Sequence, residues 1–475
     1  MNIITIVLDT FRSDIIGPGK NMSFVKTPNL DALAEESVVF EQAYGEGQPT
    51  LQVRRAFFTG RRSFPFVYNF DRRGHWHHAP GWHKIPPHQA TLSEILTARG
   101  YCTGLISDVY HMFKPTMNFW RGFTNYEFIR GQESDNWRGG TPEMVAGRLA
   151  KHMRDPSDIT AGANLYQYLL NQRFRKSEED YQCARVFRQA SDWLDANGTN
   201  KPFMLWVEAF DPHEPWDPPA SYADEYCPDY DGIDFIQPGP VDGMSERERE
   251  RTKALYCGEV TFVDRWVGHL MAKIEALGLK DDTAIVVLSD HGTQVMDHGA
   301  FGKGGANLRR YNTGIVWQMY VPKQRHMTID SLVQTHDVMP TLLEILGIPY
   351  DLTDGKSVMP LVRGETDLHR NPIVCGWAEF STGNAGAVAS VRTKEWNYIS
   401  SVHDTGTEML FDLTADPNEN HDVLAEHPDT AGELRRHIEA TVGQPLPATL
   451  NEVCDPQPAP MVEYLNKVER VGGSS

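Results

Sequence analysis

The 475-residue chain has little that would cross-link it, anchor it or draw it to a polyanion. Its six cysteines, Cys102, Cys183, Cys227, Cys257, Cys375 and Cys454, are scattered, with no CxxC pair and no framework spacing. Disulfides and zinc–thiolate centres are therefore not expected. No apolar run approaches the roughly 18 residues needed to span a bilayer. The opening MNIITIVLDTFRSD has no basic leader segment and no cleavage site, so it reads as a strand and not as a signal peptide. Positive charge is in deficit. The formal net charge is −19, which argues against nucleic acid or an anionic membrane as the main partner. A local basic pocket for a small anion stays open. There are no internal repeats. These absences lead us to expect a soluble, cytoplasmic protein with one large domain and a smaller one.

What is present alternates. Ile3 to Leu8, FMLWVEAF (203–210) and TAIVVLSDHG (283–292) are almost unbroken apolar runs, as in strands buried on both faces of a parallel sheet. CTGLISDVY reads as another strand. Helical patterns fall between them, at 180–197 and 258–279. In TLSEILTARGY, Thr91 and Glu94 form a capping-box pattern. Leu30, Leu33 and Val38 suggest a helix over 29–43. This order implies an α/β fold, a large and mostly parallel sheet flanked by helices. After the amphipathic helix THDVMPTLLEILGI (335–348) the texture changes. AGAVASVRT, WNYISSV and EMLFDLT suggest a smaller C-terminal α+β subdomain with an antiparallel sheet, closed by a helix over 431–442. The expected division is 1–375, 376–443 and an extended tail over 444–475, long enough to contact a neighbouring subunit in a homo-oligomer.

Ligands of parallel sheets gather at the carboxyl ends of strands, where Asp9, Asp211 and Asp290 all fall. Asp9, Asp290 and His291 are good ligands for one divalent ion such as Zn, Mn, Mg or Ca. Taken alone, SDHG is as often a turn or a cap. Thr50 precedes an expected helix, with Arg54 one turn later. There the backbone N–H groups and the helix dipole favour anions. A hydroxyl that also meets the metal becomes a nucleophile near neutral pH, and Arg54 can fork onto two oxygens of a tetrahedral anion. A simple helix cap is the blander reading of Thr50. His213, in VEAFDPHEPWDPP, could protonate a leaving oxygen. DHGAFGKGG adds His298 and Lys303. RRGHWHHAPGWHKIPPH (72–88) is a substrate wall, an exposed loop or an oligomer contact.

Taken together these stretches resemble the sulfatase-like branch of the alkaline phosphatase superfamily. LDTFRSD resembles the family's Asp-Asp-x-Arg-x-Asp, and TLQVRRAFFTGR its Cys-x-Pro-Ser-Arg followed by Thr-Gly-Arg. DPHEPWDPP, SDHG, HGAFGKGG, HDVMPTLLEILGI, GKSVMPLVRG and LFDLTADPNENHDV follow in the family's order. The resemblance implies metal ligation by Asp9, Asp290, His291 and the nucleophile Thr50, with Arg54, His213 and Lys303 around the anion.

Three departures shape the expected activity. Thr10 stands at the second acidic position, which leans towards manganese or zinc and leaves Thr10 for substrate contact. Val109 occupies the place of a family lysine, with Tyr110 and His111 beside it as substrate contacts, and His298 as a further one. Thr50 replaces the cysteine that sulfatases convert to formylglycine. One hydroxyl cannot form the aldehyde hydrate that expels sulfate, whereas a phosphothreonine is resolved by attack of water at phosphorus. The expectation is a metal-dependent hydrolase of phosphodiesters or phosphonate monoesters, acting on a small anionic ester without formylglycine. The alternatives are a sulfatase that works with threonine and a non-catalytic anion binder.

Overall fold

The computed structural model describes residues 1–17, 20–66, 81–82, 84–114, 117–157, 163–303, 308–378, 387–403 and 406–448. The tail beyond Ala448 and most of the His- and Trp-rich stretch 72–88 lie outside the described residues.

The main sheet is built from β1 (Asn2–Leu8), β2 (Val38–Phe40), β4 (Cys102–Ser107), β5 (Asn125–Phe128), β6 (Phe203–Ala209), β7 (Thr283–Ser289), β8 (Trp317–Tyr320) and β9 (Met327–Ile329). A two-residue strand, β3 (Gly47–Gln48), falls in sequence between β2 and β4 and belongs elsewhere. The strand order is β9-β2-β8-β7-β1-β6-β4-β5, with β8 alone running against its neighbours. The apolar runs become strands because they can be buried on both faces. Ile3 and Val7 of β1 enter one core, and Ile4, Ile6 and Leu8 the other. Each such side chain contributes roughly 1.5–3 kcal/mol.

The helices covering the sheet are α1 (Pro28–Ala34), α2 (Thr50–Thr59), α3 (Leu92–Ala98), α4 (Gln182–Asn197), α5 (Glu246–Ala276) and α6 (Val338–Ile345). The capping box of α3 is present: the Glu94 N–H donates to Thr91 Oγ1 at 3.2 Å and the Thr91 N–H to Glu94 Oε2 at 2.9 Å. The helix expected over 29–43 is shorter. It ends at Ala34, and the β-branched pair Val38–Val39 joins the sheet beside β8. Helix α5 starts twelve residues before the sequence pattern suggested, because Ser245 and Glu248 cap it.

The C-terminal sheet holds β10 (Ile373–Ala378), β11 (Ala387–Arg392), β12 (Trp396–Ser401) and β13 (Met409–Asp412), packed by α7 (Pro428–Val442). These four strands are antiparallel, and β3 joins the edge parallel to β10, with Gly47 opposite Gly376. The expected boundary at 375 thus falls inside a strand, and the two sheets are tied by the chain that leads into α2. Among the described residues no helix is long and apolar enough to cross a membrane.

Candidate active site

Strand register builds the centre. Leu8 of β1 pairs with Ala209 of β6 and Ser289 of β7, so the next residues out, Asp9 and Asp290, stand side by side at the sheet's rim. Asp290 Oδ1 accepts from the backbone N–H groups of Thr10 at 2.9 Å and His291 at 2.8 Å. One ligand atom from each of Asp9, Asp290 and His291 lies within 4.8 Å of the other two, and all three residues are buried. His291 Nδ1 is 2.9 Å from the Gly292 carbonyl, while Nε2 and Asp9 Oδ2 are buried without a hydrogen-bond partner. Burial drives the His291 pKa down to about 4 despite the opposing charge of Asp290, so the ring is neutral with a lone pair to offer. Two carboxylates and a neutral imidazole whose buried Nε2 has no hydrogen-bond partner fit a divalent ion.

Without a cation the carboxylates divide the burden. Burial and the charge of Asp290 push Asp9 well above the usual carboxylate range. Burial opposes ionisation of Asp290 too, but His291, Arg54 and the Thr10 N–H hold it below that range. Wherever Asp9 carries a proton, a binding cation releases it, and affinity should strengthen as pH rises. Titration with Mn²⁺ calorimetrically, in buffers of different ionisation enthalpy, should show that release. Equal affinity at pH 6 and 8 would contradict it.

Arg54 lies at the heart of the site and is fully buried. Its Nε donates to Glu208 Oε2 at 2.9 Å, and its Nη1 to Asp290 Oδ2 at 2.8 Å and to the Thr50 carbonyl at 3.2 Å. Nη2 is 3.1 Å from Asp9 Oδ2 without forming a hydrogen bond. The fork expected to grip substrate is thus turned onto carboxylates. Three buried acids are balanced by one guanidinium, and Glu208, which also accepts from Trp206 Nε1 at 2.8 Å, keeps it in place.

Thr50 is the first residue of α2, after Pro49 at the cap position, so it is not itself the cap. It is nearly buried and takes φ of +24°, a strained conformation for a β-branched residue. Its carbonyl shares Arg54 Nη1 with Asp290, which binds the head of α2 to the carboxylate rim.

Lys303 donates to Thr10 Oγ1 and to Glu214 Oε2, each at 2.9 Å. Thr10 Oγ1 in turn donates to Asp9 Oδ1 at 2.8 Å, so Thr10 serves the metal rim as a link and not as a free substrate contact. His213 Nδ1 meets the Glu214 carbonyl at 2.5 Å, and its ring stacks on Phe210 with centroids 4.1 Å apart. Burial lowers its pKa, opposed by Glu214. Tyr110 donates to Glu133 Oε2 at 2.7 Å, and His111 Nε2 lies 3.3 Å from the same oxygen. The two rings reach His213 through Phe210. Lys114, its pKa lowered by burial to about 8, sits 4.7 Å over the Tyr110 ring and brings positive charge to a region where Val109 has none.

Two expectations do not hold in space. Asp211 does not join Asp9 and Asp290. It meets Asp108 across the amide of Gln132, whose Nε2 donates to both, at 2.7 and 3.0 Å. A strand end fixes the rim but not the partner. His298 faces Tyr311 and, with Arg12 and residues Pro417 to Asn420, lines a separate pocket that includes none of the metal ligands. Sequence reasoning missed Glu133, Glu208 and Glu214. Only Glu214, next to His213, carried a signal there.

The sulfatase family model matches residues 1–348, and a model described as N-sulphoglucosamine sulphohydrolase, C-terminal, matches 298–444. An ulvan-active sulfatase of Formosa agariphila is 24% identical over 441 residues, covering 90% of this chain and 77% of that one. The multifunctional alkaline phosphatase superfamily protein PehA of Trinickia caryophylli is 26% identical, covering 88% and 90%. Among solved structures, the phosphonate monoester hydrolase SpPMH from Silicibacter pomeroyi aligns with a TM-score of 0.69 at 20% identity, over 95% of this chain and 96% of its own. With the sulfatase family model spanning residues 1–348, well over half of the chain, the chain belongs to the sulfatase family.

Proposed function

We propose that this member of the family hydrolyses phosphoric esters, either phosphodiesters or phosphonate monoesters, with Thr50 as nucleophile. The observation that carries this reading is Thr50 itself. A residue whose single hydroxyl cannot become an aldehyde hydrate heads α2, its backbone carbonyl joined through Arg54 to the Asp290 carboxylate. The similarity to SpPMH and PehA is in keeping with it.

A divalent ion held by Asp9, Asp290 and His291 would supply Lewis acidity to the Thr50 hydroxyl and to an ester oxygen. Thr50 Oγ1 attacks phosphorus and the bond to the leaving oxygen breaks. With its one proton on Nδ1 facing the Glu214 carbonyl, neutral His213 takes the Thr50 hydroxyl proton at Nε2 and passes it to that oxygen. Water then attacks the phosphothreonine, His213 takes the water's proton at Nε2, the bond to Thr50 breaks, and His213 returns that proton to the Thr50 oxygen. Lys303, held between Thr10 and Glu214, offers its ammonium to an ester oxygen beside the rim.

Sulfate-ester hydrolysis is the second reading. It is favoured by the sulfatases among the relatives, including an arylsulfatase of Clostridium perfringens at 26% identity. The test compares Mn²⁺-loaded protein on p-nitrophenyl phosphodiester, phosphomonoester and sulfate. With the leaving group fixed, the rates report the transferred centre. We expect the diester to be fastest; a faster sulfate would overturn the phosphoester reading. Silence on all three with Mn²⁺ bound would point to an anion-binding protein or a narrow natural substrate.

A further inference from the structure

Lys303 stands where its charge is both useful and awkward. Its ammonium is one hydroxyl away from a metal ligand, since Lys303 donates to Thr10 Oγ1 at 2.9 Å and Thr10 to Asp9 Oδ1 at 2.8 Å. A cation bound by Asp9, Asp290 and His291 would meet an ammonium across that hydroxyl. On its other side the ammonium is held by Glu214 Oε2 at 2.9 Å. Both side chains are largely buried, each with 13% of its surface exposed, so water screens the three groups weakly. Glu214 also faces His213 Nδ1 at 3.6 Å. Burial disfavours its charged form, yet His213 and Lys303 hold it ionised, with its pKa at about 2.

We propose that Glu214 is a positioning residue: it neutralises Lys303, draws the ammonium away from Asp9 towards the His213 side, and thereby sets the affinity of the metal site. Without its charge the ammonium has Thr10 as its remaining partner and, behind it, the Asp9 carboxylate for which a divalent ion competes. Glu214 contacts no metal ligand directly. It acts through Lys303, and the placement of Lys303 between Thr10 and Glu214 is what makes the two charges interdependent. The role of Lys303 in turnover rests on the proposed hydrolase, whereas the effect on the cation does not.

The test is therefore calorimetric titration of Mn²⁺ into folded protein, with no substrate present. Glu214→Gln should weaken Mn²⁺ binding on the order of tenfold, the size expected for a buried charge pair that has lost one partner. Glu214→Asp, which keeps the charge, should stay within about threefold of the parent. Removing both charges, in Glu214→Gln with Lys303→Met, should bring affinity back to the parental range. That recovery separates charge compensation from general damage, which a second substitution would deepen. Parental affinity in Glu214→Gln, or no recovery in the double variant, would overturn the proposal. If the parent turns over none of the three esters while the affinity pattern holds, the proposed activity on these esters fails and this proposal stands.

Discussion

Replacing Thr50 by alanine should lower turnover of the p-nitrophenyl phosphodiester by at least about a thousandfold, because alanine has no oxygen to form the covalent intermediate. The protein should otherwise be intact. Thr50 adopts φ of +24°, and alanine at that position loses the β-branching that makes the conformation costly, so melting temperature should not fall. Mn²⁺ should still bind, since Asp9, Asp290 and His291 are untouched. Thr50→Ser keeps the oxygen and should retain activity within roughly a hundredfold of the parent. Rapid-quench trapping of phosphorylated protein completes the comparison: label should appear on the parent and on the serine variant, and not on the alanine variant. Unimpaired turnover in Thr50→Ala would remove the threonine from the mechanism.

Arg54→Met should have the largest effect on stability. The guanidinium is fully buried among Glu208, Asp290 and Asp9, and methionine matches its stem but not its charge. Breaking a buried ionic cluster by removing one partner costs roughly 3–5 kcal/mol. The carboxylates left behind repel one another, so the loss should grow as pH rises and more of them ionise. Mn²⁺ supplies positive charge at the same place and should recover more thermal stability in the variant than in the parent. Melting curves at pH 6 and 8, with and without Mn²⁺, check both statements. An unchanged melting temperature would mean that the cluster relaxes without its arginine. Lysine would be a poor substitute, since a single ammonium cannot meet Glu208, Asp290 and the Thr50 carbonyl together.

The residues that declared themselves in the sequence did so by local pattern. Double-sided burial marks β1, β6 and β7 as apolar runs, and the register of adjacent parallel strands then forces Asp9 beside Asp290. The Thr91–Glu94 capping box is likewise a four-residue signal. What escaped was set by distant pairing. Val38–Phe40 continues a helical pattern on paper, yet its neighbours are β8 and β9, nearly three hundred residues away in the chain. Glu208 looks like a blemish in an apolar strand until Arg54 is placed opposite it. Asp211 sits at the right kind of strand end but finds Asp108 and Gln132 first. His298, near Lys303 in sequence, is carried into a different pocket, and no spacing rule foretells that.

The short strand β3 pairs with β10 two residues before Thr50, and β1 lies between β6 and β7. The segments that carry Asp9 and Thr50, both from the start of the chain, are thus finished by partners made much later. During synthesis Asp9 lacks its partner carboxylate Asp290 until residues 283–291 emerge. The lead-in to Thr50 gains its last strand partner only once Ile373–Ala378 has followed. The nascent chain therefore passes most of its translation with the Asp9–Asp290 rim and the lead-in to Thr50 not yet assembled, and the site is completed only late in synthesis.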